Sequence, residues 1–379
     1  YPHIIVYPRE VSLLRALKIS DWIIHLSENS HPHEVVIEVS TRCNLECVHC
    51  FRQSAHGFMY KDMPLSDFVK IVNNAINSGV KKLVFSGWGE PMANPRILDM
   101  IRYVKSKNLY VVLNTNGTML IDLAEELVKI GLDELYVSID AVDMELYGKI
   151  RRLGDLSSVS KSIARITDLK QREASRKPVV KTIFTLTKFN QDQLDKLVEY
   201  SMNIGIQEIY LSLYIHHPRG VHGVDCIRND ECLSGLRNNL ERLSIKLMNS
   251  PLRIWLPNIE SYTSRECPFV SNRALYIRVD GKVSPCMFLA YNWDVLIEDT
   301  RRSIREFIIG NALEENLSEI WRRQSNMIFK LSFNYMPSCL DCELRRYCSY
   351  TLSTETDCWG NTPNCSFCPY NYRFSYCPI

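Results

Sequence analysis

The sequence predicts an α/β fold built on a parallel sheet, followed by a smaller cysteine-rich region. Short apolar runs alternate with amphipathic, helix-period segments six times between residue 34 and about residue 215. That is the rhythm of consecutive β-α units with right-handed crossovers. Fourteen cysteines are spread as three at 43–50, a pair at 226 and 232, and nine from 267 onward, with none between 51 and 225. Hydrophobic residues make up 46% and charged residues 23% of the 379, which suits a globular chain with a large core.

The elements follow in order. Residues 1–33 read as an N-terminal extension, with Leu13, Leu14, Ala16 and Leu17 on a short helix. Val35, Val36, Ile37 and Val39 form a nearly continuous apolar run, the pattern of a strand buried on both faces. A helix is predicted over 64–79, where Pro64 suits the first turn and Gly79 the stop. Strands follow at 82–86, 110–113, 135–139, 179–186 and 209–213, with helices at about 94–107, 121–130, 158–171 and 191–202 between them. Residues 34–215 thus form one core, 216–260 a connector with a helix near 233–248, and 261–379 a separate region of cysteines, aromatics and short turns. An open doubly wound sheet and a partial barrel both satisfy this order. Either places chemistry at the carboxyl ends of the strands.

The loop after the first strand is Cys43-Asn-Leu-Glu-Cys47-Val-His-Cys50, three thiols spaced C-x3-C-x2-C. Thiolates are the usual protein ligands of iron–sulfur clusters, and three ligands leave one iron of a cubane open. An open position separates a catalytic metal site from a closed structural one. Zinc is the competing reading, since it commonly takes four closed ligands as two C-x2-C pairs. After the second strand comes Ser86-Gly-Trp-Gly-Glu-Pro91, where Gly87 and Gly89 allow close backbone approach and Glu90 offers an acceptor for an ammonium group. Asn114-Thr-Asn-Gly-Thr118 follows the third strand and has the composition of a capping turn. Ser138 and Asp140 end the fourth strand, and Arg151-Arg152 follow, arginine being suited to bidentate carboxylate binding. His216 and His217 close the sixth strand; they and the connector thiols Cys226 and Cys232 receive no role.

These residues resemble the radical S-adenosylmethionine (SAM) enzymes. The resemblance implies a partial (β/α)6 barrel and a SAM-binding [4Fe-4S] cluster on Cys43, Cys47 and Cys50. It implies SAM contacts from His49, Gly87, Trp88, Gly89, Glu90, Asn114, Asn116, Ser138, Asp140 and Arg151. Trp88 stands where the family's Gly-Gly-Glu-Pro motif has glycine. Cys267-x13-Gly281-x4-Cys286, followed by Cys339-x2-Cys342-x5-Cys348, resembles the SPASM extension, which implies one or two auxiliary [4Fe-4S] clusters. Cys358, Cys365, Cys368 and Cys377 complete the candidate ligands, although the family's next element, C-x3-C, is not matched. By resemblance Cys267, Cys286 and Cys358 serve one cluster. Cys339, Cys342 and Cys348 serve the other, with fourth ligands from Cys365, Cys368 or Cys377. The stretch 357–369, with Cys377-Pro378, resembles the radical SAM maturases of tungsten-cofactor oxidoreductases.

The implied activity is reductive cleavage of SAM to a 5'-deoxyadenosyl radical, in maturation of a tungsten-dependent aldehyde ferredoxin oxidoreductase or its pterin-type cofactor. Reduced ferredoxin or flavodoxin is the implied electron donor. The alternatives are a SPASM enzyme that modifies a protein or peptide, and a non-catalytic zinc scaffold. A net charge of +2 argues against a broad nucleic-acid or anionic-membrane surface. No apolar run reaches the ~18 residues that a membrane span needs. Residues 1–5, Tyr-Pro-His-Ile-Ile, lack the charged-then-apolar pattern of a secretory signal. Clustered C-x2-C spacings in a long chain point to metal rather than disulfides, hence to a cytoplasmic metalloprotein.

Overall fold

Alternate residues along the strands face two different cores, and that alternation organises the molecule. In a computed structural model, which describes residues 16–19, 21–25, 30–220, 230–247, 250–260, 265–297, 300–377 and 379, strand β1 (Ala16–Ile19) pairs antiparallel with β2 (Trp22–His25). Ala16 and Leu17 therefore lie on a strand rather than the expected helix; Leu13 and Leu14 fall outside the described residues. A single helical turn is costly to nucleate, whereas two Ile-bearing runs two residues apart pair readily as a hairpin.

The main body then runs β3 (Glu34–Ile37), α1 (Leu65–Asn77), β4 (Lys82–Phe85), α2 (Ile97–Ser106), β5 (Tyr110–Thr115), α3 (Ala124–Ile130) and β6 (Glu134–Ser138). It continues with α4 (Met144–Ile150), α5 (Leu156–Arg172), β7 (Val179–Leu186), α6 (Leu194–Ile204), β8 (Glu208–Leu213), α7 (Asp230–Leu247) and β9 (Arg253–Trp255). Strands β3 to β8 are parallel to their neighbours in sequence order, each followed by at least one helix, and they make the partial (β/α)6 barrel. Val35, Ile37, Leu83, Phe85, Val111 and Leu113 pack outward with the helices. Val36, Val84, Val112 and Tyr136 point to the opposite face. Two elements carry no clear period in the sequence, the short α4 and the three-residue β9 that extends the sheet beside β8.

The C-terminal part comprises α8 (Pro268–Ser271), β10 (Ala274–Ile277), β11 (Lys282–Ser284), β12 (Trp293–Ile297), β13 (Thr300–Ile304), β14 (Gly310–Asn311), α9 (Leu317–Arg323) and α10 (Ser325–Ser332). Gly281, at a φ of 82°, makes the expected turn between β10 and β11. Strand β10 adds parallel to β3, with Leu275 opposite Val35 and Tyr276 opposite Val36, and β11 and β14 follow antiparallel. One ten-stranded sheet, in the order β14-β11-β10-β3-β4-β5-β6-β7-β8-β9, therefore crosses from the barrel into the cysteine-rich region. All four residues of β10 are buried, which is what a strand covered on both faces requires. Among the described residues no helix is long and apolar enough to cross a membrane.

Candidate active site

At the carboxyl ends of the barrel strands lies a cavity of about 250 Å³. The cysteine loop forms one wall. Val48 N donates to Ile150 O (2.9 Å) and Glu46 N to Arg152 O (3.2 Å), docking the loop on the end of α4. Cys50 N donates to Cys47 O (3.1 Å), and Gln53 Nε2 to the same carbonyl (2.8 Å), which fixes the turn between the second and third thiols. Cys43, Cys47 and Cys50 all line the cavity. Burial pushes the Cys47 thiol up to about 12 and also raises that of Cys50. Burial disfavours the charged form of both thiols, and a bound cation would offset that cost.

The loops after β4 and β5 are braced against each other by Glu90. Its buried carboxylate accepts from Met92 N (3.0 Å), Thr115 Oγ1 (2.7 Å) and Asn116 N (2.7 Å). Burial raises its pKa, and the hydrogen bonds from Asn116, Thr115 and Met92 oppose that rise. Asn116 in turn donates Nδ2 to Asn44 Oδ1 at 2.9 Å and stands 3.8 Å from Cys43 Sγ, tying the third loop to the first. Glycine is obligatory at position 89: a Cβ there would lie 2.3 Å from Ser40 O and 2.6 Å from Arg42 O, both backbone atoms. Gly87, Trp88, Asn114 and Ser138 also line the cavity. Asn114 Nδ2 donates to Ser86 Oγ (3.1 Å), but its Oδ1 is buried with no partner among the described residues.

A buried charge group stands behind the thiols. Arg151 Nε donates to Asp140 Oδ2 (2.6 Å), and the other Asp140 oxygen accepts from Thr185 N (2.7 Å). His49 Nε2 lies 3.3 Å from Asp140 Oδ2. Burial pushes Asp140 up, but its partners, Arg151 first among them, outweigh it and leave the carboxyl below its ordinary range. Burial works against the charge on Arg151 too, and Asp140 more than restores it. His49 is held below its usual pKa by burial despite Asp140, so it is neutral at pH 7, and its Nδ1 has no partner among the described residues. Arg151 lines the cavity while Arg152 is exposed. Of the barrel residues that the resemblance assigns to the cluster or to SAM, Asp140 alone does not line the cavity; it stands behind Arg151 and His49.

Trp88, where a glycine was expected, points into the second core. Its Nε1 donates to Met287 O (3.2 Å), its N donates to Glu38 Oε1 (2.8 Å), and its ring meets Phe51, Tyr291 and Trp293 edge-on. Glu38 also accepts from the hydroxyls of Tyr276 (3.0 Å) and Tyr291, so a single carboxylate joins the barrel to the C-terminal part. The C-terminal stretch completes the cavity. Leu213 N donates to Phe374 O (2.8 Å) and Tyr376 N to Ser212 Oγ (3.0 Å), laying residues 374–376 along the end of β8. Tyr376 packs against Tyr210 (4.5 Å) and Tyr136 (5.9 Å) and lines the cavity. Nothing local in the sequence marks Tyr376, Tyr370 or Met287 as cavity residues. His217 is buried, with Nδ1 on Ser54 Oγ (2.8 Å), and pins the end of β8 to the turn after Cys50.

Contacts between distant segments gather the C-terminal thiols, and Cys339 Sγ meets Ser366 Oγ (3.1 Å) between Cys365 and Cys368. Glu266 N donates to Asn371 O (3.2 Å) and the Phe288 ring meets Tyr370 at 6.0 Å, which sets Cys267 and Cys286 beside the segment carrying Cys365, Cys368 and Cys377. Cys358 sits elsewhere. The Trp359 ring packs on Tyr335 (5.5 Å) and Asn361 Nδ2 donates to Tyr335 O (3.2 Å), on the side of Cys339. The expected grouping of Cys358 with Cys267 and Cys286 is thus not the arrangement found. Cys226 lies outside the described residues, and Cys232 is buried on α7.

Residues 37–201 match the Radical SAM superfamily, and residues 267–343 match SPASM, an iron-sulfur cluster-binding domain. The chain is 32% identical over 351 residues to the "Tungsten-containing aldehyde ferredoxin oxidoreductase cofactor-modifying protein" of Pyrococcus furiosus, covering 90% of this chain and 96% of that one. It therefore belongs to the radical SAM enzymes that carry a SPASM domain, and it is built for SAM and iron–sulfur clusters. A "Probable GTP 3',8-cyclase" of Methanococcus maripaludis is 28% identical over 66% of this chain and 84% of its own. Among solved structures, SuiB of Streptococcus suis bound to S-adenosylmethionine shares the fold, with a TM-score of 0.62 and 18% identity over 92% of this chain and 78% of its own. The donor set suits a cluster with SAM: three thiols share one wall, Gly89 leaves no room for a side chain, and His49 Nδ1 and Asn114 Oδ1 are unmatched polar atoms among the cavity-lining residues.

Proposed function

We propose that the protein is a radical SAM maturase whose substrate is the pterin-type cofactor of a tungsten-dependent aldehyde ferredoxin oxidoreductase, or that enzyme itself. The observation that carries this reading is one cavity at the strand ends joining the cysteine loop, Glu90 and Arg151, in a chain that aligns along 96% of a tungsten-cofactor-modifying relative. When bound, a [4Fe-4S] cluster would supply the electron for reductive cleavage of SAM, the radical chemistry by which a hydrogen atom would be taken from substrate.

Cys43, Cys47 and Cys50 would hold the cluster, with reduced ferredoxin or flavodoxin as donor. Arg151 keeps its charge and gives Nε to Asp140, which leaves its terminal amino groups for the SAM carboxylate. Glu90 spends three hydrogen bonds on the loops, so its part is to hold Thr115 and Asn116 in place while a remaining lone pair faces the SAM ammonium. Neutral His49 would offer its unmatched Nδ1 to SAM, and Asn114 and Ser138, which line the same cavity, would serve its ribose. Trp88, Met287 and Tyr376 line the cavity with apolar surface that would shield a radical from water.

The test is anaerobic incubation of the reduced, reconstituted protein with SAM and one candidate substrate at a time, with 5'-deoxyadenosine measured by chromatography and substrate mass by spectrometry. A pterin cofactor or the tungsten oxidoreductase should raise 5'-deoxyadenosine and change in mass, and Cys47→Ala should abolish both. Stimulation by short peptides alone would replace this reading with peptide modification, the kind of substrate seen in the complex of SuiB with its precursor peptide.

A further inference from the structure

Away from the strand ends, a second cavity of about 160 Å³ lies where the helical pair α9–α10 meets the segment 361–365. It shares no lining residue with the reaction cavity. Phe307, Leu331 and Met336 give it apolar walls.

Two buried carbonyl oxygens are left over among its lining residues. Gln324 stands at the junction of the helices, capping the end of α9 and the start of α10. Its backbone is committed, N donating to Trp321 O (3.2 Å) and O accepting from Ile328 N (2.9 Å). The residue is only 4% exposed, and its Oε1 has no partner among the described residues. Asn361 is 5% exposed and spends its Nδ2 on Asp357 Oδ2 (2.7 Å) and Tyr335 O (3.2 Å). Those two acceptors identify the nitrogen end of the amide, and the remaining Oδ1 also lacks a partner among the described residues. A buried acceptor without a donor is costly. Two of them at one cavity call for a ligand that brings two N–H groups.

Charge adds a second requirement. Arg323 is already engaged, with Nη1 on Ile309 O (3.0 Å) and Nη2 on Glu315. Half-buried Lys330, on the same wall, has no ion pair or side-chain hydrogen bond among the described residues. An ammonium partly withdrawn from water favours an anionic partner.

We propose that this cavity binds a flat heterocycle of the guanine or pterin type, with its two adjacent N–H donors on Gln324 Oε1 and Asn361 Oδ1 and an anionic substituent on Lys330. A cavity of about 150 Å³ admits a benzene ring, so the pyrimidine half of such a bicycle fits between the apolar walls. The site is separate from the reaction cavity and does not depend on how that cavity is read.

Equilibrium dialysis of the reconstituted full chain against guanosine 5'-monophosphate, and separately against 6-carboxypterin, tests the assignment. At least one probe should bind at one equivalent per chain. Binding of only one identifies the source as nucleotide or pterin, and binding of both shows that the shared ring edge is what is read. 2-Naphthoate, flat and anionic but without N–H donors, should bind at least about tenfold more weakly. Gln324→Leu should weaken binding about tenfold, the worth of one buried hydrogen bond. Without ligand, the same variant should unfold at the parent's denaturant concentration or above it, because an orphaned carbonyl has been removed. Lys330→Met should weaken binding by a similar factor, which keeps the test decisive if Gln324→Leu does not fold. Asn114→Ala, in the reaction cavity, should leave binding unchanged. Absence of binding by both probes at millimolar concentration would overturn the proposal, as would equal binding of 2-naphthoate. Binding that survives Gln324→Leu and Lys330→Met but weakens in Asn114→Ala would place the probe in the reaction cavity and overturn it too.

Discussion

The barrel site and the C-terminal thiol region use the same ligand chemistry but assemble it in opposite ways. Cys43, Cys47 and Cys50 lie within eight residues and are positioned by the end of β3 and by backbone bonds to Ile150 and Arg152. The C-terminal thiols span 267–377 and are gathered by aromatic packing and asparagine-bonded turns rather than by a strand end. A site built on a sheet edge inherits its geometry from the sheet. A site built from loops has to supply its own.

The largest expected effect breaks the barrel site alone. Gly89→Ala drives a methyl into Ser40 O and Arg42 O, and SAM cleavage should fall more than about a hundredfold, since misplacement of about 1 Å costs that much. Gly360→Ala, in the C-terminal turn, meets no atom within 4 Å and carries only left-handed strain of about 1–2 kcal/mol. Measuring 5'-deoxyadenosine and C-terminal iron for both variants separates the two regions.

Next comes the buried ion pair. Arg151→Met leaves Asp140 charged and unpaired among buried groups, with an expected loss of about 3–5 kcal/mol in denaturant unfolding. Adding Asp140→Asn should recover part of that loss. If the double variant is no more stable than the single, Asp140 is not the group that Arg151 neutralises.

The barrel rim should also carry a pH signature. Burial, then His49 and His216, lowers His217 to about 4. A histidine depressed in the folded state takes up its proton first in the unfolded chain. Stability is therefore full above pH ~6.5 and declines as pH falls toward 4, by about 3 kcal/mol in all. Replacing His217 with Asn should flatten the unfolding free energy over that window; an unchanged slope would assign it to other groups.

The smallest effect tests the joint between the regions. Tyr291→Phe removes one of the donors to Glu38 and should cost about 1–3 kcal/mol. Because Glu38 also holds Trp88, iron on both sides should persist while SAM affinity weakens modestly, readable by equilibrium binding. Loss of the barrel cluster instead would mean that the joint carries the cysteine loop as well.

How much was legible follows from range. The β-α order, the thiol loop and the glycine–glutamate turn were readable because each signal acts within a few residues: a period, a helix stop, a loop that directly follows its own strand. Parallel order then brings those loops to one end without further information. Trp88 was legible as a departure, but its direction was not, because that depends on Met287, Tyr291 and Trp293, some two hundred residues on. The sequence likewise placed cysteines at 339–377 without saying which share a site, and it held no sign that β10 would pair with β3 or that Tyr376 would wall the cavity.

Residue types and short spacings thus sufficed for the class of chemistry and for the thiol loop on which the barrel site is built. Folding alone decided that Arg151 rather than Arg152 faces the cavity and which residues of the C-terminal part wall it. These depend on burial and shape complementarity between segments far apart in the chain, which leave no periodic trace in either segment.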